Sequence, residues 1–235
     1  IHTEQGNIPY DFLVCALGCR TAPEEIEGMA PAMGRDVHTF YTLEGALAMR
    51  EAIAGMKEGK LVVDICEMPI KCPVAPLEFI FLVDEYLTRR GIRSRTKLTL
   101  MTPLSGAFTK PVCNDMLTGM LLAKGVQIVP NAALAEVTDK DVACPDGMRV
   151  PYDLLVTIPL NKGDELLARS GMGDELNFVP VDKHTFLSPK WSNVFVLGDA
   201  AAVPTSKAGS VAHFAVDCFA ENFLRHIDGL EMHPS

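Results

Sequence analysis

The sequence predicts an α/β protein built on parallel β-sheets, and three observations lead to this fold class. Hydrophobic residues make up 48% of the 235 residues and charged residues 22%, which is ordinary globular composition. Apolar, β-branched runs alternate along the chain with stretches of helical spacing. In the clearest case, residues 61–66 form a strand, residues 76–90 a helix and residues 97–101 a second strand. This order within about 40 residues is a βαβ unit, whose strands are parallel.

The remaining predicted strands are short apolar runs. Residues 10–17 are compact and apolar, as in a strand that is buried on both faces. Segments at residues 132–138, 141–144 and 148–150 are joined by turn residues and predict a small antiparallel meander. The other predicted strands are residues 126–129, 152–158 and 194–197.

Three further helices are predicted from their apolar spacing and from the residues that bound them. Residues 43–56 place apolar side chains at helical intervals. Residues 114–124 end at Gly125, a residue typical of a helix C-terminus. Ser206 is placed to cap a long helix over residues 207–227.

A Tyr-Asp pair opens both the strand at residues 10–17 and the strand at residues 152–158. In proteins with two dinucleotide-binding domains, such strands bring the chain back at the edge of a domain. We therefore expect residues 36–150 to form a Rossmann-like middle domain that contains the meander. Residues 1–35 and 151–235 are then parts of another, incomplete domain. Because the chain opens without Met on a polar segment, we expect it to be cut from a longer protein.

The net charge, the lengths of the apolar runs and the cysteine pattern argue against several classes of protein. The formal net charge is -9 and no basic cluster offsets it, which argues against nucleic-acid binding. No apolar run reaches the roughly 18 residues of a membrane span, and no signal peptide is visible, so we expect a cytoplasmic or peripheral membrane protein. The seven cysteines form no pair of Cys-x-x-Cys units, and we expect neither a disulfide framework nor a metal site.

The most specific signal follows the last predicted strand, where Gly198 and Asp199 precede a helix. Glycine lets the backbone approach a ligand at the carboxyl end of a strand, and an aspartate accepts hydrogen bonds from a polyol such as the ribityl chain of a flavin. Thr205, Ser206 and Lys207 follow at the expected helix start, which favours the negative charge of a reduced flavin. The alternative is that Asp199 merely ends a strand and that Lys207 is solvated.

The turn after the strand at residues 61–66 lacks the pattern of a nucleotide-binding domain. A domain that binds NAD places G-x-G-x-x-G there. Residues 67–76 instead contain no glycine and three prolines, which lack N–H donors for a pyrophosphate, so we expect no nicotinamide cofactor. Cys72 lies in this turn, beside Lys71 and just ahead of a helix, where positive surroundings favour the thiolate. Cys72 is then either a redox or nucleophilic cysteine or a buried structural one.

Three segments resemble the sulfide:quinone oxidoreductases and the related sulfide dehydrogenase flavoproteins. They are residues 10–18, residues 71–76 around Cys72, and residues 189–209. The third contains the most specific part, Gly-Asp-x-x-x-x-Pro-Thr-Ser-Lys. This resemblance runs over almost the whole chain. It implies the Rossmann-like sheets of a flavoprotein with two dinucleotide-binding domains, of which the first lacks its amino-terminal FAD-anchoring unit in this sequence.

The resemblance also implies a site and a reaction. FAD is held by the Gly-Asp pair and by residues 205–207, and Cys72 takes up sulfur from sulfide. Electrons then pass through the flavin to a quinone. Sulfide and quinone are the small-molecule substrates, and the intact protein is expected to associate peripherally with a membrane and to form homo-oligomers. The present chain alone is expected to be inactive.

Two departures from the family pattern leave alternatives open. Relatives commonly carry a second cysteine, either just after Gly-Asp, where this chain has Ala200, or in the loop before Pro189, where it has Thr185. Another cysteine then serves as the partner of Cys72, or the chemistry is not sulfide oxidation to polysulfide. One alternative function keeps the flavin but passes electrons to a cytochrome or another protein acceptor. The other is a degenerate flavoprotein fold that serves for binding without catalysis.

Overall fold

The computed structural model describes residues 1–233, and the chain divides into two compact units. Unit 1 comprises residues 1–20, residues 71–73 and those from 161 onwards; unit 2 comprises residues 21–70 and 74–160. Unit 2 therefore extends beyond the predicted middle domain, residues 36–150, at both of its ends. The assignment of the flanking residues to a FAD-binding domain stays a prediction.

The strands of the described residues are numbered in chain order. They are β1 (His2–Thr3), β2 (Gly6–Asn7), β3 (Leu13–Cys15), β4 (Cys19–Thr21), β5 (Val37–His38), β6 (Gly59–Ile65), β7 (Thr96–Met101), β8 (Gln127–Val129), β9 (Glu136–Val137), β10 (Asp141–Ala143), β11 (Arg149–Pro151), β12 (Leu154–Ile158), β13 (Asn161–Gly163), β14 (Val179–Pro180), β15 (Val194–Val196) and β16 (Ala201–Ala202). The longer ones, β6, β7 and β12, all lie in unit 2.

The helices of the described residues are numbered in the same way. They are α1 (Met29–Ala32), α2 (Leu43–Gly55), α3 (Ala75–Arg89), α4 (Pro111–Ala123), α5 (Glu165–Arg169) and α6 (Gly209–Ile227), and short 3-10 turns lie at Pro23–Glu25, Arg93–Arg95 and Gly198–Ala200. The predicted helices at residues 43–56 and 76–90 are confirmed to within one residue at each end. Helix α2 begins after Thr42, whose hydroxyl accepts the N–H of Gly45 as an N-cap.

A parallel sheet forms the centre of unit 2. Its five strands lie in the order β5-β12-β6-β7-β8, and every neighbouring pair is parallel. The predicted βαβ unit is confirmed as β6, α3 and β7, with Leu61 opposite Leu98. Between β6 and α3 the chain passes through residues 71–73, which belong to unit 1.

The two faces of this sheet are covered by different elements. Leu61 of β6 shares an apolar core with Ile80 of α3 and Leu121 of α4, so the helices cover this face. Val62, the next residue of β6, packs with Val142 of β10 on the opposite face. That face is covered by the antiparallel meander β9-β10-β11, which confirms the predicted meander.

Strand β12 explains why unit 2 extends past residue 150. The sequence placed residues 152–158 in the flanking domain, but β12 lies between β5 and β6 in the sheet of unit 2. All of its residues are buried. A strand buried on both faces is most stable with a hydrogen-bonded neighbour on each side, and the centre of the unit 2 sheet provides both.

Unit 1 is built from pairs of short strands and helix α6. Strands β3 and β15 pair in parallel, with Val14 opposite Phe195, and β14 pairs in parallel with β16. Phe195 packs edge-to-face against Phe219 and Phe223 of α6, with ring centroids 5.3 and 5.5 Å away. Helix α6 is thereby anchored on the strand that ends just before Gly198.

The prediction of a fully buried strand at residues 10–17 is wrong. Strand β3 covers Leu13–Cys15, and Tyr10, Val14 and Leu17 are exposed. Among the described residues β3 pairs with β15 alone, so one of its edges and part of its faces stay uncovered. An apolar run therefore does not by itself produce a buried strand.

Helix α6 begins later than predicted, and Ser206 is not its cap. The first helical residue is Gly209, preceded by Ala208, and no side chain caps the end. Lys207 is instead extended and pairs with Lys71 in a parallel β-bridge. This pairing keeps the Thr-Ser-Lys segment out of the helix.

Candidate functional site

Gly198 and Asp199 lie where the sequence predicted, just after strand β15. The strand is buried, and the chain then turns through the 3-10 helix at Gly198–Ala200. The backbone at Gly198 is left-handed, with a φ of 65°, a conformation that favours glycine. A Cβ at this position would meet only the side chain of Ala212, at 3.9 Å. The backbone angle, rather than lack of space, therefore requires glycine here.

Lys207 is buried, and main-chain carbonyls bind its ammonium group. Nζ donates to the carbonyl oxygen of Asp199 at 2.7 Å and to that of Ala201 at 3.2 Å. It also lies 3.7 Å from the centroid of the Phe178 ring, a cation–π contact. Burial lowers the pKa of Lys207, although the charges of Cys19 and Asp199 act to raise it. The alternative of a solvated lysine is wrong, and a positive charge lies against the Gly-Asp turn.

Cys72 is exposed and belongs to unit 1, whereas the strand and the helix on either side of its turn belong to unit 2. Its N–H donates to the carbonyl oxygen of Lys207 at 2.7 Å. The φ of Cys72 is 47°, in the left-handed region that residues other than glycine rarely adopt. Such a backbone persists where its surroundings hold it. The alternative of a buried structural cysteine is wrong, because the turn presents Cys72 to solvent beside the Thr-Ser-Lys segment.

Asn161, which no sequence pattern singled out, connects the Gly-Asp turn to the Cys72 turn through Cys19. It is fully buried, and its Oδ1 accepts the N–H of Lys71 at 2.8 Å. The thiol of Cys19 lies 4.0 Å from this oxygen and 3.9 Å from Oδ2 of Asp199. Lys71 also donates through Nζ to the Cys19 carbonyl at 3.3 Å. A polar residue shortly after the carboxyl end of a buried parallel strand was the available signal, since ligand sites gather at such ends.

The thiol of Cys19 differs chemically from an exposed cysteine. Burial, the largest cause, and the Asp199 carboxylate together raise the pKa of Cys19 to about 11, while Lys71 and Lys207 act in the opposite direction. Cys19 therefore stays protonated near neutral pH and serves as a weak hydrogen-bond donor rather than as a nucleophile.

The predicted cofactor residues share one shallow cleft. Gly198, Asp199, Thr205, Ser206 and Lys207 line it together with the first turns of α6, and Thr205 and Ser206 are exposed. The cleft has a volume of about 10 Å³, which is room for about one water molecule. The structure thus brings these residues together without enclosing a space large enough for a ring system.

Two further cysteines, Cys15 and Cys66, are buried and do not line this cleft. Cys66 is buried in unit 2, where its thiol donates to the Asp64 carboxylate at 3.1 Å, and Cys15 is buried in the core of unit 1. Within residues 1–233 no group of three or more His, Cys, Asp or Glu side chains is arranged to hold a metal ion. Across the same residues no helix is both long and apolar enough to span a membrane.

Comparisons with curated proteins point to one group of relatives. No protein-family model matches the sequence. The chain is 28% identical over 220 residues to the mitochondrial sulfide:quinone oxidoreductase of Mus musculus, and 28% identical over 248 residues to that of Schizosaccharomyces pombe. These alignments cover 89% and 100% of this chain but 49% and 54% of the relatives. The chain therefore spans about half the length of the curated relatives it matches.

Solved structures share the fold. The sulfide:quinone oxidoreductase of the hyperthermophilic bacterium Aquifex aeolicus has a TM-score of 0.78 at 20% identity, over 96% of this chain and 57% of that one. The putidaredoxin reductase–putidaredoxin complex has a TM-score of 0.66 at 19% identity, over 99% of this chain and 55% of the other. The predicted fold class is confirmed by these structures, and the predicted resemblance to sulfide:quinone oxidoreductases is confirmed by the curated relatives. The chain is thus similar to curated sulfide:quinone oxidoreductases along about half of their length.

Proposed function

We propose that this chain is the sulfur-binding part of a flavin-dependent enzyme that oxidises sulfide and reduces a quinone. One observation carries the proposal: the N–H of Cys72 donates to the Lys207 carbonyl at 2.7 Å. This bond joins an exposed cysteine to the segment predicted to hold FAD. The names of the curated relatives support sulfide and quinone as the substrates.

The residues of the cleft fit part of a flavin cofactor. The Asp199 carboxylate is bonded weakly to the Cys19 thiol, at 3.9 Å, and keeps acceptor capacity for the hydroxyls of a ribityl chain. The positive charge of Lys207 favours the negative charge of a reduced flavin. A cleft of about 10 Å³ does not bury an isoalloxazine ring, so these residues would contact one edge of the cofactor. FAD bound there would supply a carrier of two electrons.

The proposed reaction begins at the Cys72 thiol. One molecule of hydrogen sulfide, the thiol and one quinone give a Cys72 persulfide and one quinol. An S–S bond forms and two S–H bonds break, and the two electrons and two protons end on the quinone. The left-handed turn presents the thiol to solvent, where hydrosulfide can reach it.

The turn between β6 and α3 supports a quinone, rather than a nicotinamide, as the acceptor. Pro69, Pro73 and Pro76 lack the N–H groups that would bind a pyrophosphate. Because quinones reside in membranes, we also propose that the complete protein works at a membrane surface. We also propose that the complete protein forms homo-oligomers, as its resemblance to the sulfide:quinone oxidoreductases implies.

The test uses the complete gene product, with flavin absorbance recorded between about 300 and 550 nm, where isoalloxazine absorbs. We expect flavin bands that bleach when sulfide is added without oxygen and return with a short-chain quinone. Cys72→Ser should bleach at least about 100-fold more slowly, because the sulfur acceptor is gone. Cys113→Ser, which removes a half-buried cysteine of α4, is the matched control and should match the wild type.

Two results would contradict the proposal: a protein purified without flavin, or a Cys72→Ser variant that bleaches as fast as the wild type. If the reduced flavin were reoxidised by a cytochrome but not by a quinone, the proposed roles of the flavin and of Cys72 would stand. The proposed acceptor would then be a cytochrome instead of a quinone.

A further inference from the structure

We infer that Asn161 is a positioning residue for Cys72, because its side-chain amide holds the turn that presents the thiol. This inference rests on the proposed function, in which Cys72 takes up sulfur. Its structural basis is separate and consists of the hydrogen bonds around the turn.

The turn that carries Cys72 offers few main-chain donors. Two consecutive N–H groups of this turn are hydrogen-bonded to other segments of unit 1. Residues 69–76 include three prolines without an N–H. The N–H of Lys71 donates to Oδ1 of Asn161 at 2.8 Å, and the N–H of Cys72 donates to the carbonyl of Lys207 at 2.7 Å. Adjacent residues are therefore held by two different segments, and one of the two bonds is made by a side chain.

The burial of Asn161 makes this bond strong and specific. Asn161 is 0% exposed, and a buried amide is stable only when it is hydrogen-bonded. Removing the side chain would leave the N–H of Lys71 without this acceptor in a partly buried position. The left-handed φ of 47° at Cys72 would then lose one of its supports, and the backbone would relax towards the commoner regions.

The same amide also links the thiol-bearing turn to the predicted flavin segment. Oδ1 of Asn161 lies 4.0 Å from the Cys19 thiol, which lies 3.9 Å from Oδ2 of Asp199. One buried side chain thus contacts the residue before Cys72 and, through a protonated thiol, the residue expected to bind the ribityl chain. Displacing a reacting group by about 1 Å can cost about 100-fold in rate, so this position is suited to control the transfer between Cys72 and the flavin.

The experiment compares Asn161→Ala, Asn161→Ser and Asn161→Asp in the complete flavin-loaded protein. Serine is too short to reach the N–H of Lys71, whereas aspartate keeps an acceptor oxygen at the same reach. We expect sulfide-driven flavin reduction to fall about tenfold or more in the alanine and serine variants and to recover to within about threefold in the aspartate variant. Reduction by dithionite, which needs no cysteine, should not change. A purely structural role would alter both reductions alike.

A control and a second measurement separate this inference from the proposed function. Asn193→Ala removes another asparagine bond of unit 1, to the Asp11 carbonyl at 2.8 Å, and should leave sulfide-driven reduction unchanged. Iodoacetamide labelling of Cys72, read by mass spectrometry, should change at least about threefold in the alanine and serine variants but not in the aspartate variant. If the wild type is not reduced by sulfide, the proposed function fails, and labelling alone decides the role of Asn161. Labelling in both variants within about twofold of the wild type would overturn the inference.

Discussion

Asp84 and Asp64 are buried aspartates of unit 2 with opposite surroundings. Asp84, on α3, forms ion pairs with Arg93 and, at 2.8 Å, with Lys124. Burial alone would raise the pKa of Asp84, but the bonds from Lys124 and Arg93 outweigh it and lower the pKa below its ordinary value. This carboxylate keeps its charge because two cations compensate the loss of water.

Asp64, on β6, forms no ion pair with a Lys, Arg or His side chain of residues 1–233. Its Oδ2 accepts the thiol of Cys66 at 3.1 Å and the hydroxyl of Thr157 at 3.0 Å, and its Oδ1 has no hydrogen-bond partner in residues 1–233. It lies on the face of the sheet that the meander covers, as Val62 does. Burial raises the pKa of Asp64 to about 7, against the effect of the two bonds. The two aspartates show that partners, rather than burial, decide whether a buried carboxyl is charged.

The largest expected effect is the pH dependence that Asp64 imposes on stability. Its folded-state pKa of about 7 lies above the ordinary value of 3.8, so its stabilisation is complete below about pH 4 and is lost as the pH rises through 7. At about 1.4 kcal/mol per pKa unit, the free energy of unfolding falls by about 4 kcal/mol across this range. Asp64→Asn mimics the neutral form, so its advantage in stability over the wild type should be clearly larger above about pH 8 than near about pH 5.

Urea titrations at about pH 5 and about pH 8, followed by hydrogen exchange in β6 and β12, measure this effect. Asp84 has the opposite sign, because its lowered pKa gives stability that is lost as the pH falls below the ordinary value of 3.8. Equal stability of Asp64→Asn and the wild type at the higher pH would contradict the raised pKa of Asp64.

The next effect tests the cations around Asp84. Arg93→Ala removes one of its two ion pairs and leaves the carboxylate, which is only 7% exposed, partly uncompensated. We expect a loss of about 3 kcal/mol in the free energy of unfolding. Arg89→Ala, which removes an exposed pair with Glu85, is the matched control and should cost less than about 0.5 kcal/mol. Similar losses in the two variants would show that the cation beside Asp84 has no special role.

The smallest expected effect on stability comes from removing the neutral hydroxyl that donates a hydrogen bond to Asp64. Thr157→Val keeps the shape of the side chain but removes the hydroxyl that donates to Asp64. We expect a cost of about 1 kcal/mol at about pH 8, where the carboxylate is charged, and a smaller cost at about pH 5. The same urea titrations measure it, and a larger cost at the lower pH would refute this account of Asp64.

Much of the fold was readable from local patterns. The strand, helix and strand of residues 61–101 follow from periodicity and from proline and glycine at the helix ends, because such signals act over a few residues. Gly198 and Asp199 were recognisable in the same way, since the glycine is required by its own left-handed backbone. The meander was predicted from its turn residues, although two of its three strands, β9 and β10, are shorter than expected.

The environments of single polar groups were not readable in this way. Residues 61–66 appeared as an apolar strand, and nothing local showed that Asp64 lacks a cation while Asp84 has two. Lys207 was expected at a helix start, yet the carbonyls of Asp199 and Ala201 bind it before the helix begins. Asn161 lies 90 positions from Lys71, so its bond to that residue has no local signature.

The sequence by itself determined the α/β class, the order of the main strands and helices, and the residue types of the candidate site. These depend on periodicity, turn chemistry and short motifs, which are properties of neighbouring residues. The tertiary structure alone decided which polar groups meet, how deeply they are buried and which turn carries Cys72 to the Lys207 segment. Such pairings arise from contacts between residues far apart in the chain, and the cost of burying a polar group depends on the partner that only folding brings to it.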